Sequence, residues 1–407
     1  MAVFDAESPP ALAFTRSLGR AGVPVIVYSD EPCPPARFSR YATEFRRCPP
    51  RYDAATFLSW LEEELRCGRI GLVAPTSDTI AFYLAELLDR LPETARRALP
   101  AKDAALDALF KDRFDAACAR ASAKTPWAFY PSSIEEALDQ AASFPYPVIL
   151  KPKSHVGIGF HRGTIAHNAD ELRREFAPLE IPPGAQSIID RYPSLRLPMI
   201  QELVPGALGN LFSVSGLLGP DGELIACAAS QKRGQWPPAL GIGIQFESCF
   251  DPRVINLGAR IAREILGRGL FELELVRDPR SDDFLAIDLN PRAYGQISLD
   301  IARGNDLPRL WYRVASGDAV EALPSPSEPV VWLHGIPYGV AQLVGFARAP
   351  DRSERARRIA QTLGRNPVDI AVEPSDPLSS LAFIATMLRH PGGLIRPFFN
   401  APPTTIP

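Results

Sequence analysis

Between Gly269 and Arg292 the chain reads "GLFELELVRDPRSDDFLAIDLNPR". Two apolar runs of strand length flank a polar turn. Within each run the polar residues recur at every second position, as Glu272 and Glu274, then as Asp288, Asn290 and Arg292. Side chains alternate across a strand, so this period puts both glutamates on one face, opposite Leu273 and Leu275, and puts the acid, the amide and the arginine on one face of the next strand. Burying such groups together is costly unless something charged organises them. Neighbouring strands joined by so short a turn collect two or three carboxylates, which repel unless a divalent cation sits among them. Oxygen ligands with an amide suit Mg2+. Alone, two alternating glutamates more often mark the solvated face of an antiparallel strand. The Asp-x-Asn-x-Arg run shifts the weighing, because Arg292 beside a cation can hold a phosphoryl or acyl-phosphate oxygen.

The rest of the chain narrows what surrounds that site. Its 407 residues exceed one ordinary core and suggest roughly two to three lobes. A net charge of −3, with no basic run interleaved with aromatics, leaves no electrostatic footprint for nucleic acid. The N-terminus has no positive segment leading into an apolar core, and no stretch approaches the roughly 18 apolar residues of a membrane span. A soluble, cytoplasmic protein without a membrane partner is the expectation. The six cysteines lie far apart with no CxxC pair, which argues for packed, reduced thiols against a zinc site or a disulfide framework. Three of the five histidines, His155, His161 and His167, are six residues apart, a spacing that makes no ligand set on one helical face. They read as lid residues that touch phosphate or water. The 42 prolines punctuate the chain and read as loop stiffeners.

"MAVFDAES" and "VPVIVYSD" read as short strands around a helix that starts at Ser8 and Pro9 and ends at Gly22. "RIGLVAPTSD" adds a strand before the helical "TIAFYLAELLDRL", which completes a small parallel α/β lobe. Its first turn lacks G-x-G-x-x-G, so a dinucleotide site is disfavoured. Helices follow over Lys111 to Ala123 and over Ser132 to Ala142, the latter capped by Ser132. Then come the strand "PVILKP" ending at Lys151, the strand "PMIQELVPG" ending in a bend, and a hairpin around Pro220-Asp221-Gly222. The tail reads as helical.

"PVILKP", "QELVPG", "QKRGQWPP" and the strand pair ending in "IDLNPR" resemble the successive motifs of ATP-grasp enzymes, especially the branch of carboxylate–amine ligases that includes D-aspartate-ligase-like proteins. The resemblance covers roughly residues 105 to 320, and more loosely the N-terminal lobe; the strand pair is its most specific element. It implies an α/β and α+β fold in four parts: an N-terminal parallel α/β (pre-ATP-grasp) lobe over 1–105, a small lid lobe over 106–203, a large lobe with the metal site over 204–320, and a mostly helical extension over 321–407. ATP would lie between antiparallel sheets.

The resemblance also implies roles. Arg113, in "KDRF", Lys151 and Lys153 would hold the ATP phosphates. Gln201, Glu202, Leu203 and Val204 would form the interlobe hinge, with polar groups on the adenine edge and Leu203 or Val204 on its face. Glu274, Asp288 and Asn290 would ligate Mg2+ or Mn2+, and Arg292 would face the phosphate. Lys232 and Arg233 would serve the transferred phosphate or the substrate carboxylate from a loop that closes over the second substrate. Plainer readings stand beside these: a snorkelling lysine at a strand end, an ordinary edge strand at 201–204, and a solvated basic hairpin end at Lys232 and Arg233.

Three positions depart from the family pattern. Asp288 stands where glutamate is usual in E-x-N-P-R, one methylene shorter. The loop "PKSHVGIGFHRG", with Gly157, Gly159 and Gly163, is bulkier than the usual Gly/Ser-rich lid. Leu208 replaces the acid that usually meets ribose hydroxyls, which leaves Asn210 as the substitute. The implied chemistry is ATP-dependent activation of a small carboxylate as an acyl phosphate, followed by capture by an amine, with small-molecule partners and assembly as a homodimer. Two other readings stay open: an ATP-grasp enzyme with another acceptor, as in carboxylation or thioester formation, and a nucleotide-binding protein without catalysis.

Overall fold

The computed structural model describes residues 1–158, 163–207, 209–237, 240–370 and 372–389. His161, Gly159 and Leu208, singled out above, lie outside the described residues. The N-terminal lobe holds β1 (Ala2–Val3), β2 (Ile26–Ser29) and β3 (Glu44–Arg47), parallel and in that order. Between β1 and β2 runs the helix Pro9–Arg20. Ser8 caps it by accepting from the Ala11 N–H, and two prolines fill the first turn, where no N–H is needed. The expected strand around Val73 reduces to one parallel bridge with Ala2, because Gly71 and Pro75 leave only three residues between them. β3, half-exposed and only four residues long, carried no alternation that the sequence could show.

A second, antiparallel sheet runs in the order β4-β7-β5-β6, from β4 (Ala128–Phe129), β5 (Val148–Lys151), β6 (Thr164–Ala166) and β7 (Met199–Glu202). Val148, Leu150 and Ile200 pack under it with Phe144 and Leu172. The nearby helix spans Ile134–Asp139 and is capped by Ser133, one residue later than expected, because Ser132 instead holds the Glu136 carboxylate.

The largest sheet has seven strands in the order β12-β11-β8-β9-β10-β13-β14. These are β8 (Leu211–Leu218), β9 (Leu224–Trp236), β10 (Ile242–Cys249), β11 (Gly269–Arg277), β12 (Phe284–Asn290), β13 (Val331–Leu333) and β14 (Val368–Asp369). One face is closed by the helix Pro252–Leu266, whose Val254, Ile261, Ala262 and Ile265 meet Val214, Leu273, Leu275 and Ala286. The stretch after residue 320, expected to be mostly helical, carries among its described residues the helices Gly335–Arg348, Arg352–Leu363 and Pro377–Arg389 and adds two short strands at one side of this sheet, β14 outermost. Asp376, just before that helix, pairs with Arg16 at 3.0 Å and ties the tail to the N-terminal lobe. Among the described residues no helix is long and apolar enough to cross a membrane, and all six cysteines are free.

Candidate active site

The face of the large sheet opposite the helix Pro252–Leu266 carries the polar residues that opened the sequence reading. β11 and β12 pair so that Glu272 faces Asn290 and Glu274 faces Asp288. β8 extends the same face with Ser215 opposite Glu272 and Ser213 opposite Glu274. The register slips after Glu274, where Leu275 pairs with Ala286. The extra residue, Ile287, joins an apolar cluster with Val204, Val276 and Leu285. Arg292 lies beyond the end of β12, yet its Nη2 returns to donate to Asn290 Oδ1 at 2.8 Å.

Three cations meet this face. Lys111, first residue of the helix Lys111–Arg120, makes a close ion pair with Asp288 through Nζ. Burial would raise the Asp288 carboxyl; Lys111, and then Lys151, hold it below the ordinary carboxylate range. Lys151 ends β5 and is pushed down to about 8, first by burial and then by Lys111, against the pull of Asp288, Glu274 and Asp115. Arg292 is the third. Its Nε and Nη2 donate to the two carboxylate oxygens of Asp78 at 2.8 and 3.1 Å, and its Nη1 donates to the Ala293 carbonyl at 2.8 Å. Asp78 opens the helix Asp78–Glu86, capped by Ser77, so the N-terminal lobe reaches into the site. Asp78 stays below the usual range, because Arg292, helped by His155 and Lys111, outweighs the effect of burial.

Glu272 is buried and engaged on both oxygens. Oε2 accepts from Asn290 Nδ2 at 2.7 Å; Oε1 accepts from Gln296 Nε2 at 2.8 Å and, in a short contact, from Ser213 Oγ. Burial and the neighbouring Glu274 push its pKa up, against the pull of Ser213, Arg292 and Asn290.

Several sequence expectations land elsewhere. Arg113 points away from the carboxylates and pairs with Asp107 at 2.7 Å and with Asp103. Two residues along a helix turn the side chain by about 200°, so Arg113 and Lys111 face opposite ways. Lys153 is fully buried and spends its ammonium on the Pro131 carbonyl at 3.0 Å, while its own carbonyl accepts from the Lys111 N–H. Both its ammonium and its carbonyl are thus used in holding the backbone around Pro131 and Lys111. The segment "QKRGQW" belongs to strand β9, not to a loop. Lys232 shares the face of Ser230, which pairs with Ser213, and so lies on the carboxylate side, half-buried. Arg233 is exposed and pairs at 3.3 Å with Glu247, which pairs in register with Gln231 on the opposite face. Glu247 also holds Arg365, which leaves Arg233 turned from the site.

The hinge lies where the chain passes from β7 toward β8. Gln201 is buried in β7, and Glu202 pairs with Arg280 at 2.7 Å. The N–H groups of Glu202 and Leu203 are taken by the carbonyls of Trp127 and Pro147. Val204 is buried with Ile287, Val276 and Leu285, which makes an apolar wall between the two sheets. Asn210 spends its side-chain amide on the Gly206 carbonyl at 2.8 Å, closing the hinge loop on itself.

The sequence reading missed Lys111, Asp78, Gln296 and Ser213. For Lys111 a signal existed: Phe114 and Cys118, three and seven residues on, put Lys111 on the buried stripe of its helix, whereas Arg113 falls outside it. Asp78 and Gln296 lie in segments that only the tertiary fold brings to Arg292 and to Glu272.

No protein-family model and no curated protein matches the sequence. Solved structures do match. N5-carboxyaminoimidazole synthetase from Staphylococcus aureus, complexed with ADP, has a TM-score of 0.63 at 13% identity, over 84% of this chain and 83% of that one. The biotin carboxylase domain dimer of 2-oxoglutarate carboxylase from Hydrogenobacter thermophilus, in complex with MgADP, ADP and bicarbonate, has a TM-score of 0.61 at 17% identity, over 82% and 74%. Biotin carboxylase from Campylobacter jejuni, in complex with β-γ-ATP, gives 0.60 at 15%, over 82% and 75%. At these identities the likeness is one of fold: the chain, with a parallel N-terminal sheet, a four-stranded antiparallel sheet and a seven-stranded sheet that is antiparallel except for its β13–β14 pair, has the mixed α/β ATP-grasp fold.

Proposed function

We propose that this protein is an ATP-dependent ligase that activates a small carboxylic or amino acid as an acyl phosphate and couples it to an amine, releasing ADP and phosphate. The observation that supports it most is the convergence of Lys111, from a helix packed on the large sheet, and Lys151, from the end of β5 in the four-stranded sheet, on Asp288 and Glu274. With Lys232, which lies on the same face, four cations face five carboxylates, counting Asp78, Glu272 and Asp115. With a divalent cation added, the balance favours a polyanion such as a triphosphate.

The residues fit Mg2+ or Mn2+. Glu274 and Asp288 are direct neighbours across the ladder, Glu272 is already engaged, and Asn290 adds an amide oxygen. Among the described residues no group of three or more His, Cys, Asp or Glu side chains forms a self-sufficient metal site. Mg2+ characteristically takes one or two carboxylates and completes its shell with water and phosphate. Bound there, such a cation would neutralise phosphate charge and polarise a phosphoryl oxygen.

Lys111 and Lys151 would hold the phosphate chain in line for attack by the substrate carboxylate. The carboxylate oxygen bonds to the γ-phosphorus as the bond to ADP breaks; positioning and charge stabilisation supply most of the catalysis. The amine then attacks the acyl carbon, loses a proton to solvent and expels phosphate. Arg292 has five N–H donors, of which four are already engaged, so it would offer the oxyanion a single directed Nη1–H. Lys232 would face the incoming carboxylate. The adenine would lie against Val204 and Ile287, its edge meeting backbone carbonyls of the hinge and the Val204 N–H, because the N–H groups of Glu202 and Leu203 are occupied.

A second reading, carboxylation, draws support from the bicarbonate-bound neighbour. Bicarbonate is itself a carboxylate that the same phosphoryl transfer would activate. One screen separates the two: ADP and phosphate release with amino acids, small dicarboxylates or bicarbonate, each with and without amines, and the coupled product identified by mass. Asp288→Asn should abolish the release while the protein still unfolds in one cooperative transition, at a melting temperature lowered by the loss of the Lys111 partner. Near-normal turnover in that variant, or no acid-dependent ADP release from the native chain, would sink the proposal.

A further inference from the structure

Asn290 stands between Arg292, which can only donate, and the carboxylate of Glu272, which accepts. Only one orientation of the carboxamide serves both neighbours: Oδ1 toward Arg292 and Nδ2 toward Glu272. Flipped, the amide would set its NH2 against the guanidinium and its oxygen against the carboxylate, losing two charge-assisted bonds and adding two repulsive contacts. Glu272 cannot swing away to relieve that conflict, because Gln296 and Ser213 anchor its other oxygen and the residue is 2% exposed. Gln296 also donates to Ser213 Oγ at 3.1 Å, so the anchor is a closed ring of three side chains.

We infer that Glu272 is a positioning residue that keeps the Asn290 oxygen turned toward the divalent cation. This rests on the metal reading above, in which Asn290 completes the set begun by Glu274 and Asp288. Arg292 takes one lone pair of Oδ1, and the other is left for the cation. Without Glu272 only Arg292 still opposes the flip, and the orientation that presents NH2, a group that cannot ligate the cation, loses one of its two penalties. Partners that orient metal ligands typically matter by about 10- to 100-fold in metal affinity.

The isosteric Glu272→Gln variant keeps the volume and leaves one acceptor oxygen for two sets of donors; with that oxygen held by Gln296 and Ser213, an NH2 group faces Asn290. Mn2+ binding, followed by electron paramagnetic resonance in the presence of ADP and with no turnover needed, should weaken by about 10- to 100-fold. Combining it with Asn290→Asp exchanges the bonding pattern across the pair: the introduced amide can donate where the original accepted, and a carboxylate oxygen again faces both Arg292 and the cation. That double variant should recover Mn2+ affinity. A Glu272→Gln variant that binds Mn2+ as the native chain does, while Asp288→Asn binds it poorly, would overturn the positioning role and leave the metal site standing. Weakening that the double variant fails to restore would also overturn it, since generic core damage is not repaired by a second substitution. If Asp288→Asn binds Mn2+ normally, the metal reading itself falls.

Discussion

Lys111 and Arg113 are two residues apart, and the resemblance pointed to the second while the fold turns the first into the site. Replacing each in turn gives a direct contrast. Lys111 is about one-tenth exposed and bonds Asp288, itself one-quarter exposed. A charge-assisted hydrogen bond to phosphate contributes about 1.5–3 kcal/mol, so Lys111→Met should weaken nucleotide binding by about 10- to 100-fold. The same change leaves Asp288 beside Glu274 without its neutralising partner, and breaking a mostly buried pair is destabilising because one charge stays behind. Mg2+ would replace part of that neutralisation, so the loss in melting temperature should be larger with a chelator than with Mg2+. Arg113 is one-third exposed and pairs with Asp107 and Asp103 on the helix surface. Exposed pairs contribute about 0–1 kcal/mol, and nothing in this geometry brings the guanidinium toward phosphate. Arg113→Met should therefore leave the nucleotide Kd within about twofold. Titration calorimetry with ADP and with a non-hydrolysable ATP analogue measures both variants. The reasoning is refuted if Arg113→Met weakens binding as much as Lys111→Met, or if Lys111→Met binds normally.

The depressed pKa of Lys151, about 8 against 10.5, gives a proton-linked test. Bound phosphate favours the charged ammonium, so nucleotide binding between pH 8 and 9 should take up a proton, visible as a dependence of the binding heat on buffer ionisation enthalpy and absent in Lys151→Met. The sign for stability follows from the same shift: between about 8 and 10.5 the unfolded chain binds more protons at this site, so its contribution rises with pH. Gly258 tests the other face of the sheet. An added Cβ would lie 2.5 Å from Val214 Cβ. The overpacking cost of about 1–3 kcal/mol exceeds the helix-propensity gain of about 1 kcal/mol, so Gly258→Ala should lower the melting temperature; an unchanged or higher value would show that the helix Pro252–Leu266 can lift off at no cost.

What the sequence could show depended on the range of the physics involved. The alternation in "FELELV" and "FLAIDLN" is a local consequence of strand geometry, and it placed Glu272, Glu274, Asp288 and Asn290 on one face, as the ladder has them. The helix start at Ser8 and the hairpin at Gly222, where φ is 81°, were legible for the same reason, since caps and turns are satisfied within a few residues. Arg292 shows where the period stops: β12 ends at Asn290, and the arginine reaches the site by folding back on the strand end, held by an aspartate 214 residues earlier in the chain. The strand nature of "QKRGQW" was hidden because its pairing partner is β10, and a bulge at Arg233 breaks the alternation by which a strand is recognised. Lys153 and Arg113 were drawn to phosphate by their chemistry alone. Each had a nearer partner, the Pro131 carbonyl and the Asp107 carboxylate, and a burial term or helical phase that charge type does not encode. Ionic residue types thus identify which elements form a site such as this one. Which cation in "KDR" enters it is decided by helical phase, because the buried stripe through Phe114 and Cys118 fixes the rotation of the helix before any ligand is present.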